Sequence, residues 1–311
     1  MTKGIKFFLV GLGISLGFCV IANDAEGQLQ NFFLSQFYIP EITFLAQVSR
    51  ELEPVPSPKL EIDVKAKSIL VLELNDNGSQ MVVFEKNSSR VLPIASLTKL
   101  MTAIVSLDVY SLSQEILITQ QAVMQVGSSG NLRLGEKMPV RELLKMVLVE
   151  SSNDAAFALS QFYGRDKFMN LMNLKAQEIG LKSTNFGSTT GLESENNYST
   201  AQDLAVLMIY ILRNNPQILE FSSQPTITVL DSQSFPHHLA KNTNELLGSL
   251  ENSGKWEVLG SKTGYTQEAG GCIILALRNK KTGYDFIDII LGADSSDSRF
   301  SEMEKLIQNF N

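Results

Sequence analysis

Apolar runs of strand length stand at both ends of the folded part of this chain: Ser68 to Leu74 near its start, Gly271 to Leu277 and Phe286 to Gly292 near its end. The sequence between them is patterned for helices, so the strands of the two ends have only each other to pair with. That predicts a sheet assembled from both chain ends plus a helical lobe, an α/β (α+β) arrangement. Asn75-Asp76-Asn77-Gly78, followed by Met81 to Phe84, predicts a hairpin at the first strand, because Asn-Gly supplies the positive φ a tight turn needs. Leu97, Leu100, Met101, Ile104, Val105 and Leu107 recur at helical spacing and predict a buried helix over Ser96 to Tyr110. Further helices are expected at Arg141 to Val149, Asp154 to Tyr163, Asp166 to Ile179, Thr200 to Arg213 and Ser301 to Phe310.

Composition excludes several classes of function. The chain has 311 residues, 26 Lys+Arg against 33 Asp+Glu, and a net charge of −7, so a nucleic-acid partner held by phosphate contacts is not expected. Two histidines, adjacent at 237 and 238, and two distant cysteines, Cys19 and Cys272, lack metal-ligand spacing, and neither a cofactor nor a structural disulfide is expected.

Lys3 and Lys6 precede an apolar run from Phe7 to Ala22, which is shorter than the roughly 20 residues of a comfortable membrane span. Residues 1–22 therefore read as a signal peptide, cleaved after Val20-Ile21-Ala22, in preference to a retained anchor making membrane contact through residues 7–22. An exported protein of the cell envelope is the expectation. Residues 23–58 form a linker ending in Glu53-Pro54-Val55-Pro56-Ser57-Pro58, stiff because its prolines fix φ. Residues 59–311 are left as one catalytic domain.

Ser96-Leu97-Thr98-Lys99 puts a serine at the start of the buried helix and a lysine three residues on, along one helix face. A serine hydroxyl needs a base, and a lysine in apolar surroundings loses its proton more readily, so the pair suits nucleophilic catalysis. Ser-x-Asn occurs at 129, 151, 183 and 194, and Lys-Thr-Gly at 262 and 281. Lys281-Thr282-Gly283 falls in a polar turn between two strands and reads as structure. Lys262-Thr263-Gly264 follows Val258-Leu259-Gly260 and precedes a glycine-bearing stretch, a composition that lets a substrate backbone approach a strand edge. Ser151-Ser152-Asn153 falls between two helices, suited to a loop facing a cleft; the other three read as surface loops.

The ordered set Ser96-Leu97-Thr98-Lys99, Ser151-Ser152-Asn153 and Lys262-Thr263-Gly264 resembles the three motifs of the penicillin-interacting serine enzymes. The flanks Leu134-Gly135-Glu136, Asn153 to Ala156, Tyr198 to Ala201, Asn242-Thr243-Asn244 and Gly264-Tyr265-Thr266 are similar to the D-alanyl-D-alanine carboxypeptidase branch, the low-molecular-weight penicillin-binding proteins of serine peptidase family S11. The resemblance runs from about Lys67 to Phe310. It implies a β-lactamase/transpeptidase-like fold with an antiparallel sheet, peptidoglycan stem peptides as substrate and β-lactam antibiotics as inhibitors. It further implies Ser96 as acylated nucleophile, Lys99 as its base, Ser151 as proton relay, and Asn153 as a ligand of the substrate amide that orients Lys99. Lys262, Thr263 and Gly264 would bind the substrate end with its carboxylate, joined by Arg299, while the backbone amides of Ser96 and Tyr265 would form the oxyanion hole.

Two positions depart from the family pattern: Ser152 stands where glycine is usual, and Asn197 precedes Tyr198-Ser199-Thr200 where histidine is frequent. A side chain at 152 is expected to alter substrate fit. The leading reading is an exported D-alanyl-D-alanine carboxypeptidase. The alternatives are an endopeptidase cutting D-alanyl cross-links and a non-catalytic muropeptide-binding protein; a class A β-lactamase ranks lower, because Glu193 and Glu195 lack the expected surroundings.

Overall fold

The computed structural model describes residues 62–75, 79–192 and 196–309. The readings of 1–22 as a leader and of 23–58 as a linker, the Asp76-Asn77-Gly78 part of the hairpin turn, and Glu193 and Glu195 lie outside the described residues. Among the described residues, no helix is long and apolar enough to cross a membrane.

In chain order the elements are β1 (Ser68–Leu74), β2 (Gln80–Lys86), β3 (Leu92–Pro93), a 3-10 turn (Ala95–Thr98), α1 (Lys99–Val109), β4 (Glu115–Leu117), α2 (Gln120–Val123), β5 (Lys137–Pro139), α3 (Val140–Leu148), α4 (Asn153–Tyr163), α5 (Arg165–Glu178), β6 (Tyr198–Ser199), α6 (Ala201–Asn214), α7 (Pro216–Ser222), β7 (Thr226–Leu230), β8 (Pro236–Lys241), α8 (Leu247–Asn252), β9 (Trp256–Thr266), β10 (Gly270–Asn279), β11 (Asp285–Ala293) and α9 (Ser298–Gln308). The main sheet runs β2-β1-β11-β10-β9 and is antiparallel throughout. β1 pairs with β11 from Ser68↔Leu291 to Leu74↔Asp285, so the two chain ends do meet in one sheet.

Ile69, Val71, Ile273, Leu275, Leu277 and Ile290 point to one face and are covered by Phe300, Met303, Leu306 and Ile307 of α9, together with Leu246, Leu247 and Leu250 at α8. Each such side chain withdrawn from water stabilises the fold by about 1.5–3 kcal/mol. Residues of the other parity, Leu70, Leu72, Ile287 and Ile289, are equally buried, and α6 packs on β1 and β11. Both faces are thus covered, which is why these strands read as continuous apolar runs.

The expected helix over Ser96 to Tyr110 begins as a 3-10 turn and becomes α-helical only at Lys99. Three small antiparallel pairs, β3-β6, β4-β5 and β7-β8, had no periodic signal, since strands of two to six residues carry too few alternations to stand out. Lys281-Thr282-Gly283 does fall in the turn joining β10 to β11.

Candidate active site

Ser96 sits in the 3-10 turn held between β9 and the segment around Gly191. Ala95 adopts a left-handed φ of 47°, rare for a residue with a side chain, and Thr98 Oγ1 fixes the turn by donating to Ala95 O at 2.8 Å. Two glycines make the approach feasible. A Cβ at Gly191 would stand 2.0 Å from Ala95 O, and one at Gly264 would stand 2.8 Å from Ser96 N. The Ser96 amide therefore lies directly against β9, an edge strand of the sheet.

One turn on, Lys99 is fully buried, and its Nζ donates to Ser96 Oγ at 2.8 Å, Asn153 Oδ1 at 2.7 Å and Thr190 O at 2.8 Å. All three acceptors are neutral. Burial holds the Lys99 amine well below its usual pKa, the charge of Lys262 pushes in the same direction, and Asp154 opposes them weakly. A hydroxyl beside a lysine that readily gives up its proton is an activated nucleophile.

The second motif occupies the junction between α3 and α4. Ser151 has a left-handed φ of 62° and is buried, a strained conformation of the kind found where structure serves a site. The Ser152 side chain points inward. It is fully buried, its Oγ caps α4 by accepting from Ala155 N at 3.0 Å, and it hydrogen-bonds Asp154 Oδ1. Ser152 thus has an inward, capping role. Asn153 opens α4: its amide donates to Ser128 O at 2.8 Å and its Nδ2 to Val126 O at 2.6 Å, leaving Oδ1 for Lys99.

Ser129-Gly130-Asn131 lies in a surface loop as expected, and that loop is tied to this motif. Ser129 Oγ donates to Asp154 Oδ2 and Gly130 N to Asp154 Oδ1, both at 2.8 Å. Ser129 itself remains exposed.

The third motif lies on β9. Lys262 is buried with its Nζ donating to Thr263 O at 3.0 Å; burial, then the neighbouring Arg299 charge, lowers its pKa to about 7. Thr263 Oγ1 donates to Thr243 Oγ1 at 2.6 Å, and Thr243 N donates to Val149 O at 3.0 Å, a bridge from β9 to the residues preceding Ser151. Tyr265 is 51% exposed at the rim. Arg299, at the head of α9, is buried rather than a surface charge: its Nη1 donates to Gly264 O at 2.9 Å and its guanidinium lies 4.6 Å from the Phe300 ring centre.

Ser96, Lys99 and Asn153 are thus joined directly, Lys262 acts on Lys99 through its charge, Thr263 connects to the Ser151 junction through Thr243, and Arg299 braces Gly264. Sequence reasoning missed the Thr190 carbonyl, which carries no residue-type signal because it is backbone. It also missed Asp154 as a loop anchor and the pairing of His238 Nε2 with Glu150 Oε1 at 3.0 Å. Among the described residues no group of histidine, cysteine or carboxylate side chains could hold a metal ion, and the buried Cys272 is a free thiol.

The family model described as D-alanyl-D-alanine carboxypeptidase, peptidase family S11, matches residues 54–295. The chain is 32% identical to the D-alanyl-D-alanine endopeptidase of Pseudomonas aeruginosa over 83% of each sequence. It is also 32% identical to the D-alanyl-D-alanine carboxypeptidase DacF of Bacillus subtilis, over 79% of this chain and 62% of DacF. The structure of penicillin-binding protein D2 from Listeria monocytogenes in its ampicillin-bound form is similar with a TM-score of 0.68 and 31% identity, covering 81% of this chain and 98% of that one. With its antiparallel sheet built from both chain ends and its three motifs in order, the chain belongs to the D-alanyl-D-alanine carboxypeptidase family, serine peptidase family S11.

Proposed function

We propose that this chain hydrolyses the D-alanyl-D-alanine end of peptidoglycan stem peptides through an acyl-enzyme on Ser96. The observation that carries the reading is the buried Lys99 amine, 2.8 Å from Ser96 Oγ and hydrogen-bonded to no carboxylate among the described residues. Neutral Lys99 takes the Ser96 proton as Oγ attacks the carbonyl carbon between the two D-alanines, and the backbone amides of Ser96 and Tyr265 receive the developing oxyanion. Ser151 relays a proton to the departing amine, D-alanine leaves, and water then cleaves the ester to regenerate Ser96. Asn153 holds the substrate amide and Lys99 together, while Lys262, Thr263, Gly264 and Arg299 favour a substrate ending in a carboxylate. The tight seating of Gly264 on Ser96 N supports the shared work of β9 and the 3-10 turn.

A second reading, cleavage of D-alanyl cross-links, is favoured by the likeness to the Pseudomonas aeruginosa endopeptidase across 83% of both sequences. Both reactions use the same acylation and differ in the leaving group, a single D-alanine in one and the amine of a second stem peptide in the other. Export through residues 1–22 belongs to either reading, with membrane contact through residues 7–22 where the leader is retained. Its check is the N-terminal sequence of the mature protein.

The test is the intact mass of the protein after incubation with benzylpenicillin, followed by peptide mapping. A stable adduct on Ser96 supports the acyl-enzyme. Unmodified protein with intact drug overturns it in favour of a muropeptide-binding protein, and unmodified protein with hydrolysed drug overturns it in favour of a β-lactamase. Purified muropeptides then separate release of D-alanine from scission of dimers.

A further inference from the structure

Asn197 is fully buried, and its amide works in both directions. Its Oδ1 accepts from the Gly187 and Ser188 backbone amides at 3.2 and 3.3 Å, while its Nδ2 donates to Ser188 Oγ at 2.8 Å. Ser188 Oγ in turn accepts from Gly191 N at 3.0 Å, closing residues 188–191 into a tight turn. Thr190 O, at the tip of that turn, accepts from Lys99 Nζ at 2.8 Å and lies 3.5 Å from Ser96 Oγ. Thr189 O accepts from Thr102 Oγ1 at 2.8 Å, anchoring the same turn on α1.

The residue after Asn197 is stitched on both sides. Tyr198 exchanges backbone hydrogen bonds with Asn185 at 3.0 and 3.1 Å and stands opposite Pro93 in the β3-β6 pair. Asn197 therefore stands where the segment leading to Ser96 and the segment leading to Thr190 share one short strand.

We infer that Asn197 is a positioning residue: through Ser188 it fixes the 188–191 turn so that Thr190 O holds Lys99 Nζ against Ser96 Oγ. The inference rests on the reading of Ser96 and Lys99 as the acylating pair. A lysine ammonium sits on a flexible four-carbon stem with three rotatable donors, and here three acceptors lock it; the neutral amine keeps two donors, for Asn153 Oδ1 and Thr190 O, with its lone pair toward Ser96 Oγ. Asn153 Oδ1 and Ser96 Oγ are side-chain atoms, the first braced by the Asn153 Nδ2 bond to Val126 O. Thr190 O is the backbone acceptor, and its place depends on the turn. A neutral amide does this holding without introducing a charge into the network.

Releasing the turn has two consequences. Lys99 Nζ loses its alignment, so acylation slows. It also loses an acceptor that favours the ammonium form, so Lys99 gives up its proton at lower pH. A variant that is merely less stable would instead lower the active fraction and leave the pH profile where it was.

The experiment is the second-order rate constant for acylation by benzylpenicillin against pH, per mole of protein able to form the adduct, in the full chain. Asn197→Ala and Ser188→Ala are expected to acylate about 10- to 100-fold more slowly, with the acid limb displaced to lower pH. Asn197→Asp keeps acceptors for the Gly187 and Ser188 amides and for the Ser188 hydroxyl. It is expected to recover most of the rate, with the acid limb displaced to higher pH because the added negative charge favours the ammonium form. Wild-type rates in Asn197→Ala and Ser188→Ala, or slower rates with an unmoved profile, overturn the inference. Where Asn197→Ala does not fold, Ser188→Ala and Asn197→Asp decide it by the opposite displacements of their acid limbs. A wild-type protein that forms no adduct overturns the acylating-pair reading itself, and this inference with it.

Discussion

Lys99 Nζ stands 2.8 Å from Ser96 Oγ in a fully buried setting where its other two acceptors, Asn153 Oδ1 and Thr190 O, are also neutral. A carboxylate in place of either would fix the ammonium form and remove the base. Ser96→Ala is accordingly expected to form no adduct with benzylpenicillin while keeping its thermal transition. Lys99→Met, which preserves the stem, is expected to lose roughly 10²- to 10⁴-fold in acylation rate. Adduct formation at the wild-type rate in either variant would contradict the assignment.

The two lysines give the pH dependence a definite sign. Each has its pKa lowered, so each is charged below its own value and neutral above it. On the proposed mechanism Lys99 must be neutral to accept a proton, which makes the rate rise with pH, whereas Lys262 must be charged to attract a carboxylate, which makes it fall as pH passes about 7. The profile of kcat/KM for a carboxylate-terminated peptide is expected to be bell-shaped. Lys262→Arg keeps the charge at all these pH values and should move the alkaline limb upward. An unmoved alkaline limb in that variant would assign it to another group.

On the proposed mechanism the side chains of the second motif divide between chemistry and support. Ser151→Ala should reduce turnover severely with little change in stability. Ser152→Ala removes the α4 cap and a contact to Asp154 and should cost about 1 kcal/mol of stability in denaturant unfolding, with a smaller loss of turnover. Ser129→Ala removes two hydrogen bonds of an exposed residue, one to Asp154 Oδ2 and one from Asn131 N, and should be nearly silent. If Ser129→Ala proved more damaging than Ser151→Ala, the choice of motif would be wrong.

Asp288 offers a prediction about stability alone. It lies on β11 opposite Val71 and Leu275, fully buried, with neither carboxyl oxygen hydrogen-bonded among the described residues, and burial lifts its pKa from 3.8 to about 8. Between those values the folded chain keeps the proton and the unfolded chain releases it. The stability this group contributes is therefore full below pH 3.8 and is lost as pH rises toward 8. Asp288→Val, apolar and β-branched on a central strand, should raise the melting temperature by several degrees, on the scale of about 2–4 °C per kcal/mol for a domain of this size. The gain should be larger at pH 7.5 than at pH 4.5. An equal gain at both would show that ionisation is not the cause.

The reading of the motifs came from spacing and flanks, and its limits show in particular residues. Lys281-Thr282-Gly283 could be set aside because Lys and Gly in a polar turn have a local explanation. The capping role of Ser152 is not legible locally, because whether a residue points into a cleft or caps a helix depends on the turn at Ser151, whose left-handed φ nothing in the neighbouring sequence requires. The place of Arg299 has a similar cause: only the packing of α9 against β10 and β11 turns it toward Gly264 rather than toward water.

Local chemistry and periodicity in the sequence alone determined the helical middle, the strand runs at both ends, and the order of the three motifs, because each depends on residues close together in the chain. Tertiary structure decided everything that requires distant segments to touch. Thr190 reaches Lys99 across 91 positions, Thr243 reaches Val149, and two glycines let β9 and the Gly191 segment close on the Ser96 turn. The depressed lysine pKa values belong to that second class, since burial and the approach of Lys262 and Arg299 exist only once the sheet and the helical lobe have packed together.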